Sequence, residues 1–143
     1  MENKIESTTE TEEETESYLQ ISFSRAPKKN HDALAQLGKR FVQWLKKYGV
    51  SSKIYYLNNS SSTTTTNGEV HPEGLESIAK ILSISDDEEL GVSLQFYRDQ
   101  AHADQVRSKM MQDETFGAIA KEFDGLVSKG KSMITDGFSP LRM

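Results

Sequence analysis

The chain has 143 residues, no cysteine, three histidines and a formal net charge of −5. That length suits one domain around a single core, with about 70% of the unfolded surface buried, and the missing cysteines exclude disulfides, thiolate nucleophiles and Cys-ligated metal centres. No run approaches the ~18 apolar residues of a membrane span, and Met1-Glu2-Asn3-Lys4-Ile5-Glu6 is no secretion signal, so the expectation is a soluble cytoplasmic protein.

The charge is unevenly placed. Residues 1–16 hold seven Glu and one Lys, a balance of −6 against −5 for the whole chain, which leaves +1 for the rest. This run is polar, repetitive and of one sign, and it reads as a disordered acidic tail ahead of a single domain over 17–143. The nearly neutral body has no bias toward nucleic acid or an anionic membrane, and Lys28-Lys29 and Lys46-Lys47 read as solvated pairs.

From residue 17 to 25 the pattern alternates, with Leu19, Ile21 and Phe23 on one face and Tyr18, Gln20, Ser22 and Ser24 on the other, which predicts a strand. Pro27 ends it. Asn30 is placed to cap a helix over 30–48, where Leu34, Leu37, Phe41, Trp44, Leu45 and Tyr48 form one stripe and Gly49 suits the left-handed C-terminal position. Residues 51–57 are rich in β-branched and aromatic types and predict a second strand. The run 58–68, Asn-Asn-Ser-Ser-Ser-Thr-Thr-Thr-Thr-Asn-Gly, is too polar to pack and predicts a flexible surface loop. Pro72 opens a short helix whose Leu75, Ile78, Ala79 and Leu82 share a face.

Asp86-Asp87-Glu88-Glu89 reads as a water-facing acidic turn. The strand predicted over 89–97 places Leu90, Val92, Leu94 and Phe96 on one face and Ser93, Gln95 and Tyr97 on the other. Asp99 caps a helix over 99–112, Asp113 interrupts it, and Phe116, Ile119, Ala120 and Phe123 begin a further apolar face. Met110 and Met111 read as core filling. Residues 131–137, between two Asp-Gly turn signals, form the last strand.

Two strand-helix-strand halves in this order predict an α+β fold, a ferredoxin-like split βαβ domain with an antiparallel sheet. The helices are expected on Leu19, Ile21, Phe23, Leu90, Val92, Leu94 and Phe96. The opposite face then offers Gln20, Ser22, Ser93, Gln95, Tyr97 and Tyr55, a mixed surface that a second subunit would cover to leave a lined cavity.

Several separated pieces carry a family resemblance: Ala26-Pro27-Lys28-Lys29-Asn30, Lys109-Met110-Met111-Gln112-Asp113, and Phe123-Asp124-Gly125 followed by Lys131-Ser132-Met133-Ile134 and Gly137-Phe138. From Tyr18 to Phe138 the chain resembles the YbaA-like family, a domain of unknown function in the dimeric α+β barrel superfamily. The acidic tail, the Ser/Thr-rich loop and the longer link Leu126-Val127-Ser128-Lys129-Gly130 depart from the family pattern. The resemblance implies a homodimer whose two sheets face each other, and it implies no reaction.

His31, His102, Arg25, Tyr55, Tyr97 and Gln95 are the polar residues considered for chemistry. Three scattered histidines without paired spacing predict no metal site, and no cofactor is expected, because the nucleophile-elbow, P-loop and dinucleotide fingerprints are all missing. Two functions follow. One is a dimeric module that binds a small, partly apolar molecule through Gln20, Ser22, Tyr55, Gln95, Tyr97 and His102. The alternative is a cofactor-independent monooxygenase acting on a quinol or phenol-like substrate, by fold-level analogy.

Overall fold

Ten consecutive residue pairs join β1 (Tyr18–Pro27) to β3 (Glu88–Tyr97), from Tyr18 opposite Tyr97 to Pro27 opposite Glu88. This antiparallel ladder is the centre of a computed structural model that describes residues 17–57 and 72–143. The acidic run 1–16 and the Ser/Thr-rich run 58–68 lie outside the described residues. β2 (Ser51–Tyr56) pairs with the far side of β3, and β4 (Met133–Ile134) pairs with β1, giving the strand order β2-β3-β1-β4 with every pairing antiparallel. Four helices accompany this sheet: α1 (His31–Lys47), α2 (Ile78–Ile81), α3 (Gln100–Gln112) and α4 (Glu114–Leu126). The fold is mixed α+β.

Local chemistry sets the helix ends. Asp99 accepts a 2.7 Å hydrogen bond from the His102 N–H at the start of α3, and Asp113 accepts from Thr115 and Phe116 at the start of α4. The expected interruption at Asp113 is therefore a boundary between two helices, with the same residue capping the second. Gly49 closes α1 with φ +78°, a conformation that L side chains rarely adopt. Asn30 does not cap α1, contrary to expectation. A three-residue 3-10 turn, Lys28–Asn30, leads into the helix, and the Asn30 amide donates to the Leu126 carbonyl at 2.8 Å, tying this corner to the end of α4.

The alternation along β1 and β3 is as read, but the faces are exchanged. The main core joins Leu37, Trp44 and Leu45 of α1, Ala103 and Val106 of α3 and Ile119 of α4 to Tyr97 and Tyr18. The helices therefore cover the face of Tyr18, Gln20, Ser22, Ser93, Gln95 and Tyr97. Leu19, Ile21, Phe23, Val92, Leu94 and Phe96, expected beneath the helices, stand on the other face and are only half-buried. Much of the helices' apolar surface meets other helices: the Trp44 ring lies 5.1 Å from Phe116 and Phe41 lies 5.9 Å from it, while Tyr48 at the end of α1 packs 4.6 Å from Trp44. Period-two alternation says which residues share a face, not which face a helix takes.

A second cluster closes one end of the apolar face. Ala79, Ile84 and Leu90 are buried there against Phe23, Leu57 and Leu82. Pro72 and Leu75 fall outside α2, which is instead capped by Ser77. Its end is a Schellman turn, with the Ile84 N–H on the Ala79 carbonyl at 3.0 Å and Ser83 at φ +53° in the position glycine usually takes. Arg25 reaches across to this turn, donating to the Leu82 carbonyl at 2.9 Å, the Ser83 carbonyl at 3.0 Å and Glu88 at 2.8 Å. Glu88 also accepts from the Ser85 and Ser128 hydroxyls, so part of the acidic turn read as facing water is a buried knot.

The last strand is shorter than the expected 131–137. Met133 and Ile134 pair with Phe23 and Ser22, yet Phe138 bridges Leu19, so four residue steps on this side match three on β1. This one-residue bulge interrupts the ladder. The Thr135 side chain compensates by accepting from the Ile21 N–H at 3.0 Å. Gly137 lies in the bulge because a Cβ there would overlap the Tyr18 ring. Met111, expected in the core, is exposed.

Burial pushes the Glu88 carboxyl up, but Arg25, Ser128 and Ser85 outweigh it and hold its pKa at about 2 against an ordinary 4.5. A depressed folded value means stability that is present above pH 4.5 and lost as the pH falls toward 2, on the order of 2 kcal/mol once partial solvent screening is allowed for. Glu88→Gln should lower neutral-pH stability by about 3 kcal/mol, because Arg25 loses its counter-ion. It should also flatten the acid limb of a urea-unfolding series run from pH 5.5 to 3; an unchanged acid limb would assign that loss to other groups.

Candidate functional site

The register of the three adjacent strands sets Gln20, Gln95 and Ser52 in one row across the helix-side face, with Gln95 opposite both of the others. Residues directly opposite on antiparallel strands have Cβ atoms about 5 Å apart. Gln20 is 7% exposed and Gln95 5% exposed. Gln95 Nε2 donates to the Ser93 hydroxyl at 2.9 Å, which leaves its carboxamide oxygen available. Among the described residues the Gln20 carboxamide has no hydrogen-bond partner, and the Ser52 hydroxyl is buried without one. A buried hydroxyl such as that of Ser52 is normally satisfied, since leaving one bare costs about 1–3 kcal/mol, whereas the Gln20 carboxamide atoms keep some contact with solvent. The row thus holds hydrogen-bonding capacity that the chain itself does not use.

Aromatic side chains flank it. Tyr18 and Tyr97 form the next row, edge to face at 6.3 Å, and Tyr97 also meets the His102 ring at 5.7 Å. Burial raises the Tyr97 hydroxyl above its ordinary pKa, and Tyr18 adds to this while Arg107 opposes it. On the other side of the row Ser22 and Ser93 stand opposite each other, with Ile54 opposite Ser93. No charged side chain belongs to these three rows.

His102 is buried in the same layer, and both of its ring nitrogens are engaged. Nδ1 accepts from the Arg98 N–H at 3.1 Å, and Nε2 donates to the Tyr48 carbonyl at 2.6 Å. The backbone fixes this tautomer, and the ring ties the start of α3 to the end of α1. Its nearest role to the row is through the Tyr97 ring. Tyr55 stands apart: it is 51% exposed and opposite Val92 on the apolar face. The structure therefore assembles Gln20, Ser22, Gln95, Tyr97 and His102 on one face of the sheet and places Tyr55 on the other.

A second titratable cluster lies at the far end of the polar face. His31 Nδ1 sits 2.7 and 2.9 Å from the two Glu89 oxygens, and its ring meets Tyr56 edge-on at 5.0 Å. The hydrogen bond and charge of Glu89 raise the His31 pKa above 6.5, with Asp32 adding to them and partial desolvation opposing. Elsewhere, an open groove of about 520 Å³ runs between α1 and α4 over Leu37 and Leu126. Its Arg40 and Glu122 pair with each other at 2.7 Å with both side chains largely exposed, and Gln36 and Lys121 also line it.

Residues 17–125 match the model of a family described as a protein of unknown function, DUF1428. The chain belongs to this family. The DUF1428 match takes in β1 through nearly all of α4, and so includes the glutamine row, His102 and the His31–Glu89 pair, while β4 lies beyond it. No curated protein matches the chain. Among the described residues no group of three or more His, Asp or Glu side chains is arranged to hold a metal ion, and no helix is long and apolar enough to cross a membrane.

Sequence reasoning reached four of the five assembled side chains through the alternation of β1 and β3. Ser52 escaped it, because its importance comes from lying opposite Gln95, which only the β2–β3 register shows. Replacing Glu89 by Gln should move the His31 titration midpoint down, as followed by the imidazole proton shifts in an NMR pH series. A raised folded pKa means that this contact stabilises fully below pH 6.5 and fades as the pH climbs through the raised value. An unmoved midpoint would show that Glu89 does not hold the ring in solution.

Proposed function

We propose that this chain is a small-molecule-binding module that works as a pair of identical subunits. The observation that carries the binding part is the unpartnered Gln20 carboxamide, 7% exposed beneath the helix layer. A ligand that hydrogen-bonds there, and to the Ser52 hydroxyl buried without a partner in the same row, would use capacity the chain leaves unspent. The aromatic neighbours Tyr18 and Tyr97 give such a ligand an apolar surround, so it is small and partly apolar.

The pairing rests on the opposite face of the sheet. Leu19, Ile21, Phe23, Val92, Leu94 and Phe96 are half-buried in the single chain, and Met133 and Phe138 continue the patch at 44% and 50% exposure. A contiguous apolar sheet face of this kind marks an interface, and a two-fold pair of sheets covers the same patch on both copies. The strand order β2-β3-β1-β4 with antiparallel pairing supports a ferredoxin-like split βαβ arrangement, and sheet-to-sheet pairing of such domains is a dimeric α+β barrel, as the YbaA-like resemblance implies.

In sedimentation equilibrium the protein should behave as a dimer, and Leu94→Asp, a charge placed on the middle of the patch, should give a folded monomer. A wild-type monomer at micromolar concentration would remove the pairing from this reading. Binding is tested separately by a thermal-shift screen of small aromatic and carbonyl compounds. Hits should raise the wild-type Tm by several degrees and leave Gln20→Leu unmoved; hits that shift both proteins equally would place the ligand elsewhere.

A further inference from the structure

The apolar face of the sheet is raised at one end and open at the other. Ala79, Leu82 and Ile84 cluster there with Phe23 of β1, Leu90 of β3 and Leu57 at the end of β2, so the α2 turn forms a ridge across three adjacent strands. Beyond it Leu19, Ile21, Leu94 and Phe96 make a half-buried floor, with Phe138 beside Leu19 at the far end. We infer that the second copy is turned end for end, so that the α2 ridge of each subunit lies on the open floor of the other and Ile81 meets the partner's Phe138. This inference rests on the pairing reading above and adds its orientation.

The ridge is held firmly and is apolar on its outer side. Ser77 caps it, Ser83 closes it at φ +53°, and Arg25 grips its last carbonyls while paired with Glu88. Ala79 is buried against the sheet, and Ile81, two residues on, points about 200° round the helix from it. Ile81 is 65% exposed and Leu75 64%, with Ile78 beside them at 39%. Showing three large aliphatic side chains to water on a fixed turn forgoes the gain of covering them, and such patches mark contact surfaces. Ile78, Ile81, Leu75, Met133 and Phe138 each leave on the order of 80 Å² uncovered. With the floor this comes to on the order of 500–600 Å² of apolar surface, in line with an interface of ~800 Å² per partner.

Sterics choose between the two aligned ways of facing one sheet with its copy. A two-fold axis along the strands puts both ridges at the same end. The ridge is centred on β3, next to the middle of the sheet, so its mate would lie only one strand spacing away, about 5 Å against the ~10 Å width of a helix. The ridges would collide and hold the floors apart. An axis across the strands puts the ridges at opposite ends, where each finds a floor of about 13 Å from Leu19 to Phe23. Charge favours the same choice. Lys53 stands on the floor opposite Leu94, with no ion-pair partner among the described residues. Glu73 and Glu76 flank Leu75 on the ridge segment, and the end-opposed arrangement brings these carboxylates over that cation.

The chain has no cysteine, so introduced thiols can be cross-linked without background. In the full chain, Ile81→Cys combined with Phe138→Cys should give a covalent dimer on a denaturing gel after treatment with a short bismaleimide, while each single variant runs as a monomer. Ile81→Glu, at an exposed position, should keep the wild-type circular dichroism and weaken the dimer at least about tenfold in sedimentation equilibrium. A dimer that cross-links through Ile81→Cys alone has its ridges at the same end, and that result overturns the orientation while the pairing stands. A dimer whose double variant does not cross-link, or whose affinity Ile81→Glu leaves unchanged, overturns it equally. A wild-type monomer overturns the pairing itself, and the orientation goes with it.

Discussion

The ten-pair ladder between β1 and β3 is the constraint from which the rest follows. Because side chains alternate, the register that sets Tyr18 opposite Tyr97 also fixes Gln20 opposite Gln95 and, on the other face, Leu19 opposite Phe96 and Ile21 opposite Leu94. A slip of one residue would send every one of these to the wrong side. Two contacts at the end of the ladder oppose such a slip. Arg25 can reach the Leu82 and Ser83 carbonyls and Glu88 together only in this register, and Glu89 meets His31 only if β3 is not shifted. The charged groups here specify alignment as well as contributing stability.

The division of labour between the two sheet faces is unusual for a small domain. An isolated chain would be expected to put its apolar strand residues under its helices, since burying a leucine or phenylalanine side chain contributes about 1.5–3 kcal/mol. Here the helix layer builds much of its core from its own aromatics, Trp44, Phe41 and Phe116, and covers amides and hydroxyls instead. Two costs result, unspent polar groups inside and half-covered apolar groups outside. The proposed ligand would offset the first and the proposed second copy the second, which is why the two parts of the proposed function belong together.

Much of the fold was legible. The alternation of Leu19 to Ser24 and of Leu90 to Tyr97, the stripe from Leu37 to Tyr48, the cap at Asp99 and the stop at Gly49 are local signals, and local chemistry decides them. What was not legible depends on contacts distant in sequence. Asn30 looked like a helix cap and instead binds Leu126, 96 positions away. Glu88 looked solvated because its partners Arg25 and Ser128 are 63 and 40 positions away. The site was half legible for the same reason: alternation grouped Gln20, Ser22, Gln95 and Tyr97, but Tyr55 was grouped with them only because the register of β2 was unknown, and Ser52 was passed over.

Glu88 and Glu89 show how far neighbours can differ once the fold separates them. They point to opposite faces, and each supports the structure over a different pH range. The Glu88 knot contributes above its unfolded pKa of 4.5 and weakens toward 2, whereas the His31 contact contributes below 6.5 and weakens as His31 loses its proton. Both contribute in full only between roughly pH 4.5 and 6.5. Above that interval the half-exposed His31 contact loosens first, at the end of the polar face where α1 begins, while Glu88 still anchors the α2 turn over the apolar face. Rising pH therefore weakens the His31–Glu89 contact and leaves the Arg25–Glu88 knot charged and paired.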